Sequence, residues 1–287
     1  MNKRIPTIIS TISNSFCDFT LDIAINKYNM YVILFGTALG SLIIQLIYGI
    51  IKGIFFTVPS LIFIFIYGIC ILLGYVFYVL SLKKLPVALT GLIESGSLFA
   101  YLLIDFFCGE LKLNLWFIFL FTTFMFAIFL FSYDTYKKDN ENGIKNVKIS
   151  GIFLLLCSML FYGFEPYLIK FASNAGANEI AINLGYYFFA LPYFFFMMTK
   201  HINNKQKGNY NIPIKLIILI SMFESIYYLF GTIGYVNEVA IINAIIQEIR
   251  IFLLFILSII FKTDKLSLKK IIAMILGILS VIGIYLY

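Results

Sequence analysis

Charged residues are scarce in this sequence. They make up 12% of its 287 residues, whereas hydrophobic residues make up 62% and the mean hydropathy is +0.98. Soluble domains carry roughly 25% charged residues and about half apolar ones. A water-soluble core cannot bury this much apolar surface, so a soluble protein is excluded. The apolar residues occupy the whole chain, so we expect no cleaved signal peptide followed by a secreted domain.

Cysteine and histidine are also rare. Cys17, Cys70, Cys108 and Cys157 lie within apolar runs and have no paired spacing, which predicts neither a disulfide framework nor a zinc site. The single histidine, His201, lies in a lysine-bearing polar stretch. Neither a His-Glu-x-x-His nor a Gly-x-Ser-x-Gly motif occurs. We therefore expect no metal, no cofactor and no catalytic residue.

Basic residues outnumber acidic ones and give a formal net charge of +7. They are scattered through short polar stretches between apolar runs, and no basic stripe is interleaved with aromatic residues, so nucleic-acid binding is not favoured. This distribution is typical of the flanks of membrane-spanning helices. Lys270, for example, is predicted to flank the last helix. The partner that the composition indicates is a lipid bilayer.

Ten long apolar runs are separated by charged, Asn-rich or Pro- and Gly-marked breaks. A membrane-spanning helix needs about 20 mainly apolar residues. Open strands would leave backbone polar groups unsatisfied in lipid, and the alternation of barrel strands is missing. The sequence therefore predicts an all-α integral membrane protein with ten transmembrane helices. The predicted spans are 6–25, 30–51, 59–82, 85–107, 113–133, 149–170, 179–199, 213–235, 238–261 and 267–287.

The longest polar stretch divides the chain into two parts of five predicted helices. We predict a first five-helix repeat over residues 1–133, a polar connecting loop over 134–148 and a second five-helix repeat over 149–287. Because five is an odd number, the second repeat would enter the membrane in the opposite orientation, so the repeats would be inverted. Inverted repeats are common in secondary transporters.

Two pairs of acidic residues relate the halves. When the halves are aligned, Glu94 falls opposite Glu248 within a helix, and Glu110 falls opposite Asp264 at a helix end. These features resemble the EamA-like branch of the drug/metabolite transporter superfamily. That family has ten helices, five plus five, with an acid-containing motif in helices four and nine followed by a Gly-Glu-Lys/Arg-Leu-Ser-like turn. The resemblance covers essentially the full chain and implies transport.

The sequence departs from the family after the acid within each of these helices. Members often have proline there, where this chain has Ser95 and Ile249. Because neither residue interrupts helical hydrogen bonding, a break in these helices is not expected.

Seven of the 14 acidic residues lie inside the ends of predicted helices, against one clearly buried base, Arg250. Each such charge costs about 2.5–3.5 kcal/mol at the bilayer centre on insertion scales. We therefore expect them to face an interior aqueous pathway. These acids are Asp18, Asp22, Glu94, Asp105, Glu165, Glu224 and Glu248.

Helical spacing supports that expectation because it gathers polar residues onto stripes of five helices. Pro166, next to Glu165, should also loosen the local backbone hydrogen bonding. The stripes are Thr11, Asn14, Ser15, Asp18 and Asp22; Thr90, Glu94, Ser97, Tyr101 and Asp105; Ser158, Tyr162 and Glu165; Glu224, Tyr228, Gly231 and Tyr235; and Asn243, Gln247 and Arg250. The predicted substrate-binding or proton-coupling residues are Glu94, Glu165, Glu248, Glu224, Asp18, Arg250, Asn243, Gln247, Tyr101 and Tyr162.

Some of these polar residues have simpler interpretations. Asp22 and Asp105 lie near predicted helix ends and are expected to reach the membrane interface. Glu248 has a second interpretation, the neutralisation of Arg250 or of a base on a neighbouring helix. Because tyrosine is abundant, an individual tyrosine is expected to be an interfacial anchor or a packing residue.

An excess of carboxylates over bases inside the membrane favours cationic guests or protons over anions. A carboxylate pairs with an ammonium, and aromatic faces add cation–π contacts. We therefore hypothesise a transporter of a small organic solute, a cationic amine or an amino-acid-like metabolite, in a bacterial plasma membrane. Proton coupling is a further hypothesis, with Glu94 and Glu165 as the leading exchange groups. The alternatives are a membrane-embedded receptor or assembly protein and an intramembrane enzyme.

Overall fold

The computed structural model describes residues 4–82, 96–107, 109, 111, 114–141, 149–203, 213–261 and 267–286. Within these ranges the regular secondary structure is helical throughout, as the lack of strand alternation predicted. We number the helices in chain order. They are α1 (Ile5–Lys27), α2 (Met30–Lys52), α3 (Val58–Leu82), α4 (Ser97–Phe107), α5 (Leu115–Glu141), α6 (Ile149–Asn174), α7 (Glu179–Asn203), α8 (Ile214–Asn237), α9 (Ala240–Gln247), α10 (Arg250–Ile260) and α11 (Leu268–Leu286).

Short polar side chains begin several of these helices. The side chain of Asn29 accepts hydrogen bonds from the first backbone N–H groups of α2. Asn114 Oδ1 accepts from a backbone N–H in the first turn of α5 at 2.7 Å, and Asn178 Oδ1 does so for α7 at 3.1 Å. Ser267 Oγ accepts from the first turn of α11 at 3.2 Å. Such caps satisfy N–H groups that have no partner within the helix.

Eight of the described helical stretches are long and apolar enough to cross a membrane. The protein is therefore an all-α integral membrane protein. The ten-helix, inverted-repeat arrangement stays a prediction, since only part of the predicted span 85–107 is described and Leu268–Leu286 is not among the eight. The eight are Ile5–Ile25, Met30–Lys52, Val58–Ser81, Leu115–Tyr133, Ile149–Asn174, Glu179–Lys200, Ile214–Asn237 and Ala240–Leu257.

Helix α5 extends beyond its predicted apolar span into the polar stretch 134–148. Helix α5 runs from Leu115 to Glu141 and so continues through the first part of this polar stretch. Charged residues such as Lys137 and Lys138 are good helix formers, so a helix leaving the apolar layer can continue into water. Polarity marked the end of the apolar span and not the end of the helix.

The prediction of an unbroken ninth helix over 238–261 is wrong. Glu248 and Ile249 form a short turn between α9 and α10. The N–H of Ile249 bonds to the carbonyl of Ile246 at 3.3 Å, and the N–H of Phe252 bonds to the carbonyl of Ile249 at 2.9 Å. These three-residue spacings tighten the helix into a 3₁₀ turn, which needs no proline.

The helices form two compact units, each with segments from both halves of the sequence. Unit 1 comprises Met1–Leu72 and Pro166–Asn237, and unit 2 comprises Leu73–Glu165 and Glu238–Tyr287. In unit 1, α1 and α2 pack on α8, and α2 also packs on α7. In unit 2, α5 packs on α11, and α9 packs on α4.

Glycines allow very close helix contacts within unit 1. A Cβ atom on Gly40 of α2 would lie 2.9 Å from Cβ of Ser221 on α8. A Cβ atom on Gly185 of α7 would lie 2.5 Å from the carbonyl oxygen of Ile64 on α3. Close approach of helices through small residues is the usual way to gain packing energy in lipid, where the hydrophobic effect between helices is weak. The first of these contacts brings the polar residues of α2 and α8 together.

Candidate functional site

The carboxylate of Glu224 on α8 accepts a short hydrogen bond in unit 1. The Ser41 hydroxyl of α2 donates to Glu224 Oε2 at 2.6 Å. Hydrogen bonds to an ionised acceptor are shorter and stronger than those between neutral groups. The polar stripe of the eighth predicted span predicted Glu224 as a site residue. The partner of Glu224 on α2, Ser41, was not predicted.

A ladder of further hydrogen bonds fixes α2 beside α8. The Ser221 hydroxyl donates to the carbonyl of Thr37 at 3.1 Å, and the Ser225 hydroxyl donates to the carbonyl of Ser41 at 3.3 Å. The side-chain amide of Gln45 donates to the carbonyl of Ser225 at 3.0 Å. Each bond joins residues that are buried. The ladder therefore holds Ser41 and Glu224 in a fixed relation.

Four tyrosines form a cluster next to this pair. Ring centroids are 5.2 Å apart for Tyr186 and Tyr228, 5.0 Å for Tyr186 and Tyr187, and 4.9 Å for Tyr227 and Tyr228. Tyr186, Tyr187 and Tyr228 are buried, so they are not interfacial anchors. Tyr186 and Tyr187 both lie within electrostatic range of Glu224. We call Tyr186, Tyr187, Tyr227 and Tyr228 the tyrosine cluster.

Asp18 lies in the same region of unit 1. It and Glu224 both lie within electrostatic range of the buried Cys17 thiol on α1. The structure thus brings two predicted site residues, from the first and eighth predicted spans, to the neighbourhood of one side chain. Neighbouring polar residues of α1 serve their own helix, since the hydroxyls of Thr11 and Ser15 donate to backbone carbonyls one turn earlier.

Glu165 and Arg250, two other predicted site residues, lie in unit 2. They are close enough for the Arg250 charge to act on the Glu165 carboxylate. Both side chains are partly buried. The free-energy cost of removing a charge from water is offset when an opposite charge lies near it. Glu165 therefore has a cation of its own chain beside it, unlike Glu224, whose contacts in the described part of the chain are with neutral groups.

Tyr101 and Tyr162 are brought together, but through a backbone atom. The hydroxyl of Tyr101 on α4 donates to the carbonyl of Tyr162 on α6 at 3.0 Å. That carbonyl lies one turn before Pro166, which has no N–H to donate to it. Tyr101 therefore supplies the hydrogen bond that Pro166 removes. This contact gives Tyr101 a structural role.

The expectation that Asp105 reaches the membrane interface is wrong. Its side chain is 0% exposed, and Oδ2 accepts a hydrogen bond from the N–H of Ile241 at 2.6 Å. Ile241 lies in the first turn of α9, where backbone N–H groups have no helical partner and a negative charge is favoured by the helix dipole. Asp105 is therefore a buried cap that joins α4 to α9.

Of the remaining predicted site residues, the structure describes three and does not describe Glu94. Asn243 on α9 and Glu248 in the turn are buried, whereas Gln247 is partly buried. All three lie in unit 2. Glu94 and its stripe neighbour Thr90 lie outside the described residues, so the pairing of Glu94 with Glu248 across the halves stays a prediction.

One buried base was not predicted. Lys270 was predicted to flank the last helix, and Arg250 was taken as the one clearly buried base. Lys270 is only 1% exposed, and its Nζ lies 4.7 Å from the ring centroid of Phe255 and 5.5 Å from that of Phe131. The aromatic faces stabilise its charge. The sequence does hold a signal for this burial, since a lysine in the first turn of an apolar helix is preceded there by a capping serine.

The neutral polar residues of α2 and α7 near Glu224 were not predicted, although their spacing was visible. Thr37, Ser41 and Gln45 recur at one-turn intervals on α2 and therefore share a face. Asn183 and Tyr187 have the same spacing on α7. Uncharged polar residues are common in membrane helices, so this signal alone did not separate them from packing residues.

The arrangement in unit 1 is suited to binding. Its carboxylate, hydroxyls and tyrosine rings offer hydrogen bonds and aromatic faces. Among the residues that the structure describes, no group of three or more His, Cys, Asp or Glu side chains could hold a metal ion.

Comparison with known proteins gives a family match over the second part of the chain and a fold match over nearly all of it. Residues 149–286 match the EamA-like transporter family, consistent with the drug/metabolite transporter superfamily. No curated protein sequence matches the chain. Twenty-seven chains of solved structures match it in fold. One of them, a crystal structure, is 15% identical over 98% of each chain with a TM-score of 0.74. At this identity the likeness shows a common fold over the whole chain.

Proposed function

We propose that the chain is a transporter of a small cationic organic solute, since residues 149–286 match the EamA-like transporter family. Its ten helices form two inverted five-helix repeats, 1–133 and 149–287, in a bacterial plasma membrane. The observation that carries the substrate class is the contact between Ser41 and Glu224 beside the tyrosine cluster.

Glu224 and the tyrosine cluster combine the two interactions that an organic cation needs. The carboxylate attracts the positive charge, and the Ser41 hydroxyl fixes one of its oxygens. Tyrosine rings within about 6 Å of a cation add roughly 0.5–2 kcal/mol each, most when water is excluded. A substituted ammonium has apolar groups around its charge and gains from both. An anion would meet Glu224 and Asp18 and would be repelled.

Proton coupling follows from competition for the same carboxylate. A proton on Glu224 cancels the charge that holds the cation, so protonation on one side of the membrane would release it there. Glu165 has Arg250 beside it, which makes it a weaker cation site than Glu224. Glu94 keeps its predicted exchange role, and Asp18 supports Glu224 in unit 1.

Isothermal titration of the purified full chain tests this function. The probes are (hydroxyethyl)trimethylammonium and its uncharged isostere, in which carbon replaces the nitrogen. We expect wild type to bind the cation at least about tenfold more tightly than the isostere, a difference of about 1.4 kcal/mol. Glu224→Gln should abolish that preference, and Glu165→Gln should retain it.

Two results would contradict the proposal. One is equal affinity of wild type for the charged and uncharged probes. The other is a charge preference that survives Glu224→Gln. A pH series on wild type addresses coupling separately: affinity for the permanently charged probe should fall as pH falls, whereas Glu224→Gln should give a flat profile.

A further inference from the structure

Two buried side-chain amides in unit 1 each have one polar atom that no described residue satisfies. Gln45 on α2 is 2% exposed and Asn183 on α7 is 0% exposed. Gln45 Nε2 donates to the carbonyl of Ser225, but Oε1 has no hydrogen-bond partner within the described part of the chain. Asn183 Oδ1 accepts from the Thr232 hydroxyl at 2.8 Å, whereas its Nδ2 lacks a partner there.

Such atoms are uncommon in folded proteins. A buried polar group without a hydrogen bond costs roughly 1–3 kcal/mol. Most buried polar groups are therefore satisfied, and an exception indicates a ligand, a water or a functional role. The two amide atoms are complementary, because Gln45 Oε1 is an acceptor and Asn183 Nδ2 is a donor.

The register of α2 against α7 places Gln45 and Asn183 on facing stretches of the two helices. Tyr187 lies beside Ser41, and Gly49 lies against Ile180, whose Cγ2 is 3.3 Å from the position of an added Cβ. Gln45 lies one turn from both Ser41 and Gly49. Asn183 lies between Ile180 and Tyr187 on the facing helix. The antiparallel pairing therefore sets Gln45 opposite Asn183.

The pair adjoins the proposed cation site. Both amides bond to α8, at Ser225 and at Thr232. Tyr228 of the tyrosine cluster lies between those two positions on the same face of α8. Gln45 and Ser41 lie one turn apart on α2, and Ser41 contacts Glu224. A ligand of modest length could therefore contact the carboxylate and both amides.

We propose that Gln45 and Asn183 form a subsite for a neutral substrate group that both donates and accepts hydrogen bonds. A hydroxyl or a carboxamide satisfies both amides at once. A carboxylate accepts only, so it would leave Gln45 Oε1 unsatisfied, and a second ammonium donates only, so it would leave Asn183 Nδ2 unsatisfied. The substrate class is then a cationic amine with a hydroxyl or carboxamide a few bonds away. This inference rests on the proposed function.

Three matched probes test the subsite by titration against the full chain. They are (hydroxyethyl)trimethylammonium, propyltrimethylammonium, in which a methyl group replaces the hydroxyl, and (carboxymethyl)trimethylammonium. We expect wild type to prefer the hydroxyl probe over the propyl probe by about tenfold, the size of about one hydrogen bond. The carboxylate probe should be the weakest.

Two near-isosteric variants assign that preference to the amides. Gln45→Met removes the acceptor, and Asn183→Asp removes the donor while it keeps an oxygen for Thr232. In each, the hydroxyl preference should fall to about twofold or less, with affinity for the propyl probe retained in Gln45→Met. Ser158→Ala is the control, because Ser158 is also buried and donates to a neighbouring helix, at Gly74 in unit 2. It should keep the wild-type preference.

The results that would overturn the subsite differ from the result that would overturn the proposed function. Equal binding of the hydroxyl and propyl probes to wild type would show that the amides bind water only, and would overturn the subsite. Tightest binding of the carboxylate probe would overturn it in favour of a zwitterion site. A hydroxyl preference that persists in both variants would also overturn it. If no probe bound wild type, the proposed function itself would fail.

Discussion

Units 1 and 2 both contain acidic residues within the membrane-spanning region, but they differ in how the charge is compensated. In unit 2, Asp105 caps the first turn of α9, and Glu165 lies within range of Arg250. In unit 1, the described contacts of Glu224 are a serine hydroxyl, two tyrosines and a thiol, all of them neutral.

The difference separates structural charges from functional ones. A buried charge that the fold itself compensates contributes to stability, and removal of its partner is costly. A buried charge with only neutral neighbours costs stability and is retained for another reason. By this criterion we propose that Asp105 and Glu165 stabilise unit 2, whereas Glu224 is available to an external cation. Mutations should therefore affect stability in unit 2 and binding in unit 1.

The largest stability effect should come from Arg250. Arg250→Met leaves the Glu165 carboxylate without the guanidinium and should lower the free energy of unfolding by about 3 kcal/mol. The double variant Arg250→Met/Glu165→Gln should recover more than half of that loss, because the uncompensated charge is gone. Denaturant unfolding of the purified protein measures both. A double variant no more stable than the single one would show that the two residues are not coupled.

The second-largest effect on stability should come from Asp105. Asp105→Ala removes a charged hydrogen bond to the first turn of α9 and should cost about 2 kcal/mol. Asp105→Asn retains an oxygen acceptor but loses the favourable interaction with the helix dipole, so it should cost less than the alanine variant. Thermal unfolding of the three proteins gives the ranking. If alanine and asparagine were equally mild, Asp105 would not act as a cap.

Tyr101 should have a smaller effect that depends on Pro166. Tyr101→Phe leaves the carbonyl of Tyr162 without a donor and should cost about 1 kcal/mol. In a Pro166→Ala background the new N–H of residue 166 can bond to that carbonyl, so the same substitution should cost little. A double-mutant cycle measures this coupling. Equal costs in both backgrounds would show that Tyr101 does not replace the missing bond.

The smallest effect on stability should come from Glu224. Glu224→Gln can still accept a hydrogen bond from Ser41, and it removes a charge with neutral neighbours. The free energy of unfolding should change by less than about 0.5 kcal/mol or rise slightly. Chemical unfolding at neutral pH provides the value. A loss as large as that for Arg250→Met would mean that Glu224 is structural and would remove the contrast between the units.

The sequence was a good guide to helices because lipid imposes a strong pattern. Spans such as 30–51 and 179–199 lie within α2 and α7, and only the helix ends differ. The errors arose where local hydrogen bonding decided the outcome. The turn at Glu248 and Ile249 needs no proline, and α5 continues to Glu141 through residues that are both polar and helix-forming.

The site was less predictable than the fold. Helical spacing predicted Glu224 and Asp18 as site residues, because a charge in an apolar span stands out against its neighbours. It did not identify Ser41, Gln45 or Asn183, which are neutral and whose significance depends on contacts between helices distant in sequence. The burial of Lys270 and Asp105 was missed for the same reason, since proximity to a helix end in sequence does not determine exposure in the folded chain.

Counterflow of labelled (hydroxyethyl)trimethylammonium in proteoliposomes tests the central claim most directly. Wild type should show saturable counterflow, which distinguishes a carrier from a channel. Glu165→Gln should retain at least about half of the initial rate if it folds, whereas Glu224→Gln should reduce it at least about tenfold at the same probe concentration. Counterflow that is unchanged in Glu224→Gln but lost in folded Glu165→Gln would contradict the account, because it would place the cation site in unit 2.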